Sequence, residues 1–182
     1  MVVCEKDALS NIPSAVTWEY GVPLVPVSGF CAGFIHRVAR RHIDPIDPEI
    51  PLVLYYLGDY DPAGTHLMRD VEAKFRRYAP AATIDFVQLA LNREQVDRYE
   101  LPTRPTKRLG NLHAKNFEDD ESVELDALPI DILQDMVRTA IESHIDWELW
   151  REAEQEQAKD KAVLRKLKQL RTVKSRKQEG NQ

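Results

Sequence analysis

Cysteine is scarce in this 182-residue chain: Cys4 and Cys31 are the only two. They form neither a disulfide framework nor the paired spacing of zinc ligands. No apolar run approaches the roughly 20 residues that a membrane-spanning helix requires, and the first residues carry no secretory-signal pattern. Basic charge is not in excess: 25 Lys and Arg stand against 30 Asp and Glu, a formal net charge of −5. That balance excludes a uniformly basic nucleic-acid coat and confines any such contact to local patches. No internal repeat is found. These absences lead to the expectation of a reduced, soluble, cytoplasmic setting with no membrane partner. The 43% apolar content supports a real core, and the length suits one ordinary domain with an appendage.

The most informative stretch is Gly58-Asp59-Tyr60-Asp61-Pro62-Ala63-Gly64, which follows the apolar run Leu52–Leu57. Six apolar residues in a row read as a buried parallel strand. Thr65 reads as the cap of a following helix whose apolar positions are Met68, Val71, Phe75 and Tyr78. Strand, acidic turn and helix together bring Asp59 and Asp61 to the carboxyl edge of a sheet, where open α/β folds bind ligands. Carboxylate oxygens there suit Mg²⁺. Asp, Pro and Gly are also ordinary turn formers, so a solvated turn is the competing reading. Met1–Cys4 is a second short apolar run, followed at once by Glu5-Lys6-Asp7. If it lies parallel to residues 52–57, Glu5 emerges at the same edge. Lys6 is expected to point away from that site by strand alternation.

Further along, residues 7–12 read as a short helix interrupted by Pro13. Residues 22–27 read as an edge strand because of Pro23 and Pro26. A helix over 31–42 faces Phe34, Ile35 and Val38 inward. The helix after the acidic turn spans 65–78, a fourth strand 84–91 and a short helix 93–99. Strands alternating with helices indicate βαβ units. A loop over 101–108 presents Arg104, Lys107 and Arg108, readable as phosphate contacts or as a solvated loop packed over the sheet edge. Asp131 with Gln134 suggests a capping box opening a helix with Ile132, Met136, Val137, Ala140 and Ile141 on its apolar face. From Trp147 the chain turns acidic over 148–156 and then basic, with nine Lys or Arg against one Asp over 159–177. This tail reads either as a basic arm for nucleic acid or as an exposed fraying helix, its last ten residues disordered.

One carboxylate after one strand and an Asp-x-Asp after a later strand resemble the Toprim domain. The wording is closest to the type IIB topoisomerase A subunit and its meiotic recombination relative. The matching pieces are Glu5-Lys6-Asp7, Ser28-Gly29-Phe30 and Asp59-Tyr60-Asp61-Pro62-Ala63-Gly64. Val123-Glu124-Leu125-Asp126-Ala127-Leu128 is similar to an acidic-apolar strand late in those subunits. The resemblance covers roughly the first half of the chain well. It implies a Toprim-like (Rossmann-like), mostly parallel four-stranded sheet flanked by helices over residues 1–146, with a charged helical or partly disordered tail over 147–182. It also implies Glu5, Asp59 and Asp61 as catalytic and metal-ligating residues, Mg²⁺ or Mn²⁺ as cofactor, and DNA, or alternatively RNA, as partner. A homodimer fits the same expectation.

Chemically, a cation held by Asp59 and Asp61 neutralises a phosphodiester and its leaving oxygen. Glu5 binds a second ion or acts as general acid or base. Clustered carboxylates repel, so raised pKa values are expected. The topoisomerase relatives cleave with a tyrosine from a winged-helix domain ahead of the Toprim domain, or act with a partner subunit. Here the first strand begins at residue 1, so the expectation is either a fragment or a stand-alone protein using metal-bound water. Two other readings stay open. One is a non-catalytic module, since fold does not establish function. The other is a haloacid-dehalogenase-type phosphatase with Asp59 as nucleophile, although Ala63 stands where that motif has Thr or Val and Glu5 has no role in it.

Overall fold

The computed structural model describes residues 1–27, 32–108, 114–115 and 117–179, those from 166 onward by backbone alone. Cys31 and the Ser28-Gly29-Phe30 turn lie outside the described residues. The chain forms two compact units, Met1–Ile141 and Glu142–Gln182.

The first unit is α/β. Its strands are β1 (Val2–Cys4), β2 (Leu24–Pro26), β3 (Leu52–Leu57) and β4 (Ile84–Ala90), joined all parallel in the order β2-β1-β3-β4. The expected four-stranded parallel sheet is thus present. The two prolines fit the edge position of β2, where a missing N–H leaves no central ladder bond unmade. Between the strands run α1 (Asn11–Glu19), α2 (Ala32–His42) and α3 (Pro62–Tyr78), followed by α4 (Arg93–Arg98). Pro13 does not interrupt α1. It sits in the first turn, where a backbone N–H has no intrahelical partner to lose.

Alternation along the strands gives the sheet two buried faces. Val3, Val25, Leu54 and Tyr56 meet Ile35, Val38 and Ala39 of α2 and Leu67, Val71 and Phe75 of α3, with Phe34 and Met68 packed at the margin. On the other face Tyr55 Oη donates to the Ala140 carbonyl of α5 (Ile130–Glu142) at 3.3 Å. Gln134 Nε2 donates to Ile12 O, and Arg138 pairs with Glu19, which ties α5 to α1. Asp131 is therefore inside the first turn of α5 rather than its cap, and Leu133 joins Val137 and Ile141 as the buried stripe.

Beyond β4 a small antiparallel pair forms from β5 (Arg104–Pro105) and β6 (Glu121–Ser122). The strand expected over 123–128 is not formed: Val123 makes one antiparallel bridge to Tyr60, and Leu125–Ala127 is a 3-10 turn. Both backbone bonds of that bridge are 2.9 Å, so the segment after β6 is stitched to the acidic turn.

In the second unit α6 spans Trp147–Glu179, about 50 Å at 1.5 Å per residue. Asp146 Oδ1 accepts from the backbone N–H groups of Glu148 and Leu149, capping its start. The backbone over 173–179 is helical where disorder was expected. No described helix is long and apolar enough to cross a membrane.

Candidate functional site

β1 and β3 are neighbours in register, Cys4 opposite Leu57, so the residues following each strand leave the sheet at one edge. Glu5 and the turn Gly58–Asp61 meet there. Glu5 Oε2 accepts from the Asp59 backbone N–H at 3.1 Å and from Tyr56 Oη at 3.2 Å. Gly58 permits this approach, because a Cβ at that position would overlap the Glu5 carboxylate. Asp59 Oδ1 accepts from Leu125 N at 2.7 Å and lies 3.4 Å from Lys6 Nζ. Asp61 is the N-cap of α3: its Oδ1 accepts from Gly64 N at 2.7 Å, with Pro62 opening the helix. The helix thus begins three residues before Thr65, the cap expected from the sequence. Gly64 is required because a Cβ there would run into the Asp59 carbonyl oxygen. The Asp-x-Asp-x-x-Gly spacing therefore has a local cause: the second Asp caps the helix and the Gly lets its first turn close against the first Asp.

At this edge burial, ahead of mutual repulsion, raises the carboxyls of Glu5 and Asp59. Burial, and then the charges of Asp59 and Asp61, push the Glu5 carboxyl up to about 7 against the two hydrogen bonds it accepts. Burial also holds Asp59 above the usual carboxylate range, opposed by the Leu125 N–H and by Lys6. Burial and the adjacent Glu5 raise the Tyr56 hydroxyl far above its ordinary value, so it remains a proton donor in its hydrogen bond to Glu5. Cys4, buried behind the site, is pushed up to about 11 by burial and stays a thiol.

Lys6 corrects the expectation made for it. β1 ends at Cys4, so strand alternation does not extend to residue 6. The side chain turns into the acidic cluster, 2.9 Å from Glu124 Oε2 and 3.6 Å from Asp126 Oδ2 in addition to Asp59. Burial lowers its affinity for a proton, but the pairing with Glu124, Asp59 and Asp126 outweighs this and the ammonium is favoured overall. Glu124 also takes Arg104 Nη1 at 2.6 Å, while Arg104 Nη2 lies 3.6 Å from Asp61 Oδ2. The Lys6 hydrogen bond, with the charges of Lys6 and Arg104, holds Glu124 below the usual carboxylate range. A chain of alternating charge, Asp59–Lys6–Glu124–Arg104–Asp61, closes the edge.

The three basic residues of the 101–108 segment have different fates. Arg104 belongs to the site. Arg108 lies 2.9 Å from Asp120 Oδ1 and donates to the carbonyls of Phe117 and Asp119, pinning the loop around residues 117–120. Lys107 is exposed. Sequence reasoning missed the polar partners Tyr56, Glu124 and Asp126 and the Leu125 N–H. The apolar-acidic run at 123–128 was the one signal for Glu124, Leu125 and Asp126, and it resembled a strand.

Three carboxylates with hard oxygens are a donor set that suits Mg²⁺ or Mn²⁺. Their side chains are turned to protein donors, however. Among the described residues no group of three or more His, Cys, Asp or Glu is arranged to hold a metal ion. A cation bound at this edge would take over the places that Lys6 and Arg104 now hold beside Asp59 and Asp61. Comparison of the chain with protein-family models, with curated proteins and with solved structures finds no match in any of the three.

Proposed function

We propose that the chain is a Toprim-like, metal-dependent enzyme acting on nucleic-acid phosphodiesters. The observation that carries this reading is the Glu5 carboxylate seated on the Asp59 backbone N–H, which gathers Glu5, Asp59 and Asp61 at the carboxyl edge of a parallel sheet. In this reading Asp59 and Asp61 hold Mg²⁺ or Mn²⁺, with Glu5 as third ligand or as the group that takes a proton at the reacting oxygen. A bound ion neutralises charge on the phosphodiester and its leaving oxygen. The chain's own residues do the rest. Leu125 N and Gly64 N fix the rotamers of the two aspartates, and Tyr56 steadies Glu5. Lys6 and Arg104, both paired with Glu124, would be the cations at hand for phosphate oxygens, a contact that suits a guanidinium in particular.

The test is nicking of supercoiled plasmid with Mg²⁺, with Mn²⁺ and with chelator. Cleavage should require the metal and vanish in Asp59→Asn, Asp61→Asn. A second reading rests on the pairing of Lys6 and Arg104 with the aspartates, which neutralises the acidic edge without metal: a non-catalytic binding module. Metal-independent DNA binding with no cleavage by any metal would favour it. Hydrolysis of p-nitrophenyl phosphate in place of plasmid would instead indicate a phosphatase.

A further inference from the structure

The acidic balance of the chain is not shared by the two helices on the Val3–Leu54–Tyr56 face. α2 carries Arg37, Arg40 and Arg41 and no Asp or Glu, while α3 carries Arg69, Lys74, Arg76 and Arg77 against Asp70 and Glu72. Elsewhere many cations are neutralised within the fold: Lys6, Arg93, Arg104, Arg108 and Arg138 all have acidic partners. Arg40 and Arg76 likewise pair with Asp44 and Glu72. Among the described residues Arg37, Arg41 and Arg77 form no ion pair, and Arg77 lies over the Tyr78 ring at 5.8 Å. Arg37 and Arg41 are one turn apart on one stripe of α2. On the adjoining stripe His36 and Arg40, with Arg77 and Tyr78, line a cavity of about 510 Å³. The helix dipole favours cations in a last turn, but it supplies only about half a charge per helix end. The guanidiniums of Arg37, Arg41 and Arg77, like that of Arg69 nearer the middle of α3, have no ion-pair partner among the described residues, in a chain of net charge −5.

We infer that this α2–α3 surface is a docking site for the phosphodiester backbone of a nucleic acid. Arg77, which shares a cavity wall with His36 and Arg40 of α2, lies at the end of α3 remote from Asp61, about 24 Å away along a helix of 17 residues. That distance corresponds to about seven nucleotides of backbone at 3.4 Å each. The surface is therefore an anchor and not part of the reacting centre. The choice of polyanion rests on the function proposed above; the binding itself needs no metal.

The test is fluorescence anisotropy with a labelled 20-base-pair duplex, a single strand and an RNA of the same length, titrated in chelator between 50 and 200 mM salt. Each phosphate contact contributes a slope of about −0.9 in log affinity against log salt on duplex DNA. Arg37→Gln, Arg41→Gln, Arg77→Gln should flatten the duplex slope by about 2.7, so that the wild type loses about 40-fold more affinity than the variant across that range. The corresponding triple Arg→Lys variant should keep the slope, which separates charge from folding. An unchanged slope in the Gln variant, or no binding of any probe by the wild type at 50 mM salt, overturns the inference. Salt-dependent binding that falls in the Gln variant, with no metal-dependent cleavage by any protein, would retain the anchor and sink the enzymatic reading instead.

Discussion

At the scale of single residues, the strongest consequence is the opposition between stability and a charged site. Glu5 has a folded pKa of about 7 against 4.5 for the ordinary carboxyl. Because the folded value is the higher, its favourable contribution is complete below pH 4.5 and lost as pH rises through 7. The shift corresponds to about 3 kcal/mol of pH-dependent stability, as an upper figure. Glu5→Gln keeps an acceptor for Tyr56 and Asp59 N and removes the titration. In chelator it should melt several degrees above wild type at pH 8 and show little gain at pH 4.5, measured by circular dichroism. A pH-independent difference between the two proteins would show that Glu5 is not the group responsible. Gly64 gives a second residue-level expectation. Gly64→Ala drives a Cβ into the Asp59 carbonyl, a backbone atom that cannot swing aside, and should cost about 1–3 kcal/mol. Gly33→Ala, with open space at its Cβ, should stay within about 0.5 kcal/mol of wild type in denaturant unfolding.

At the scale of elements, the legible parts were those whose cause is local. Leu52–Leu57 was readable as a central strand because its two buried faces demand an unbroken apolar run, and it forms with those limits. Its interior is nonetheless uneven: Leu54 is fully buried, whereas Val53 is half-buried. Leu54→Ala should therefore cost about 2–5 kcal/mol through lost burial and a residual cavity; a loss below about 1 kcal/mol would mean that this face of the sheet is not close-packed. The start of α3 was less legible because Asp61-Pro62 satisfies turn and helix rules equally. The structure resolves it as N-cap and first helical residue, where Pro is pre-organised. The 121–127 segment could not be placed from sequence. Its Leu125 N–H reaches Asp59 across 66 residues, while Glu124 and Asp126 pair with Lys6, Glu124 also with Arg104, and Glu121 with Arg93. Residues 123–128 resembled an acidic-apolar strand because nothing local records a distant cation.

At the scale of the molecule, every residue of the candidate site belongs to the unit Met1–Ile141, which also holds the whole parallel sheet and its core. Metal binding should then be a property of that unit, and linkage offers a way to read it without assuming any reaction. A ligand that binds only the native state stabilises it by RT ln(1 + [L]/Kd), about 2.7 kcal/mol at a hundredfold excess over Kd. For a chain of this size that is roughly a 5–10 °C rise in melting temperature. Mg²⁺ or Mn²⁺ should produce such a rise in the full chain and an equal one in a version ending at Glu142, the last residue of α5. The control must respect what the aspartates already do, since Asp61 caps α3 and Asp59 holds Leu125 N. Alanine would remove those bonds as well as the charge, so asparagine, which keeps an acceptor oxygen at each position, is the informative replacement. Asp59→Asn, Asp61→Asn should fold with an unaltered far-ultraviolet spectrum and lose the metal-induced rise. In metal-free buffer at pH 8 its melting temperature should change little, because relief of the repulsion on Glu5 offsets the lost pairs with Lys6 and Arg104. Equal metal responses in wild type and the asparagine variant would show that the carboxyl edge of the sheet is not where the cation binds, and the alternating charges of Lys6, Glu124 and Arg104 would then be a structural clasp on the acidic turn.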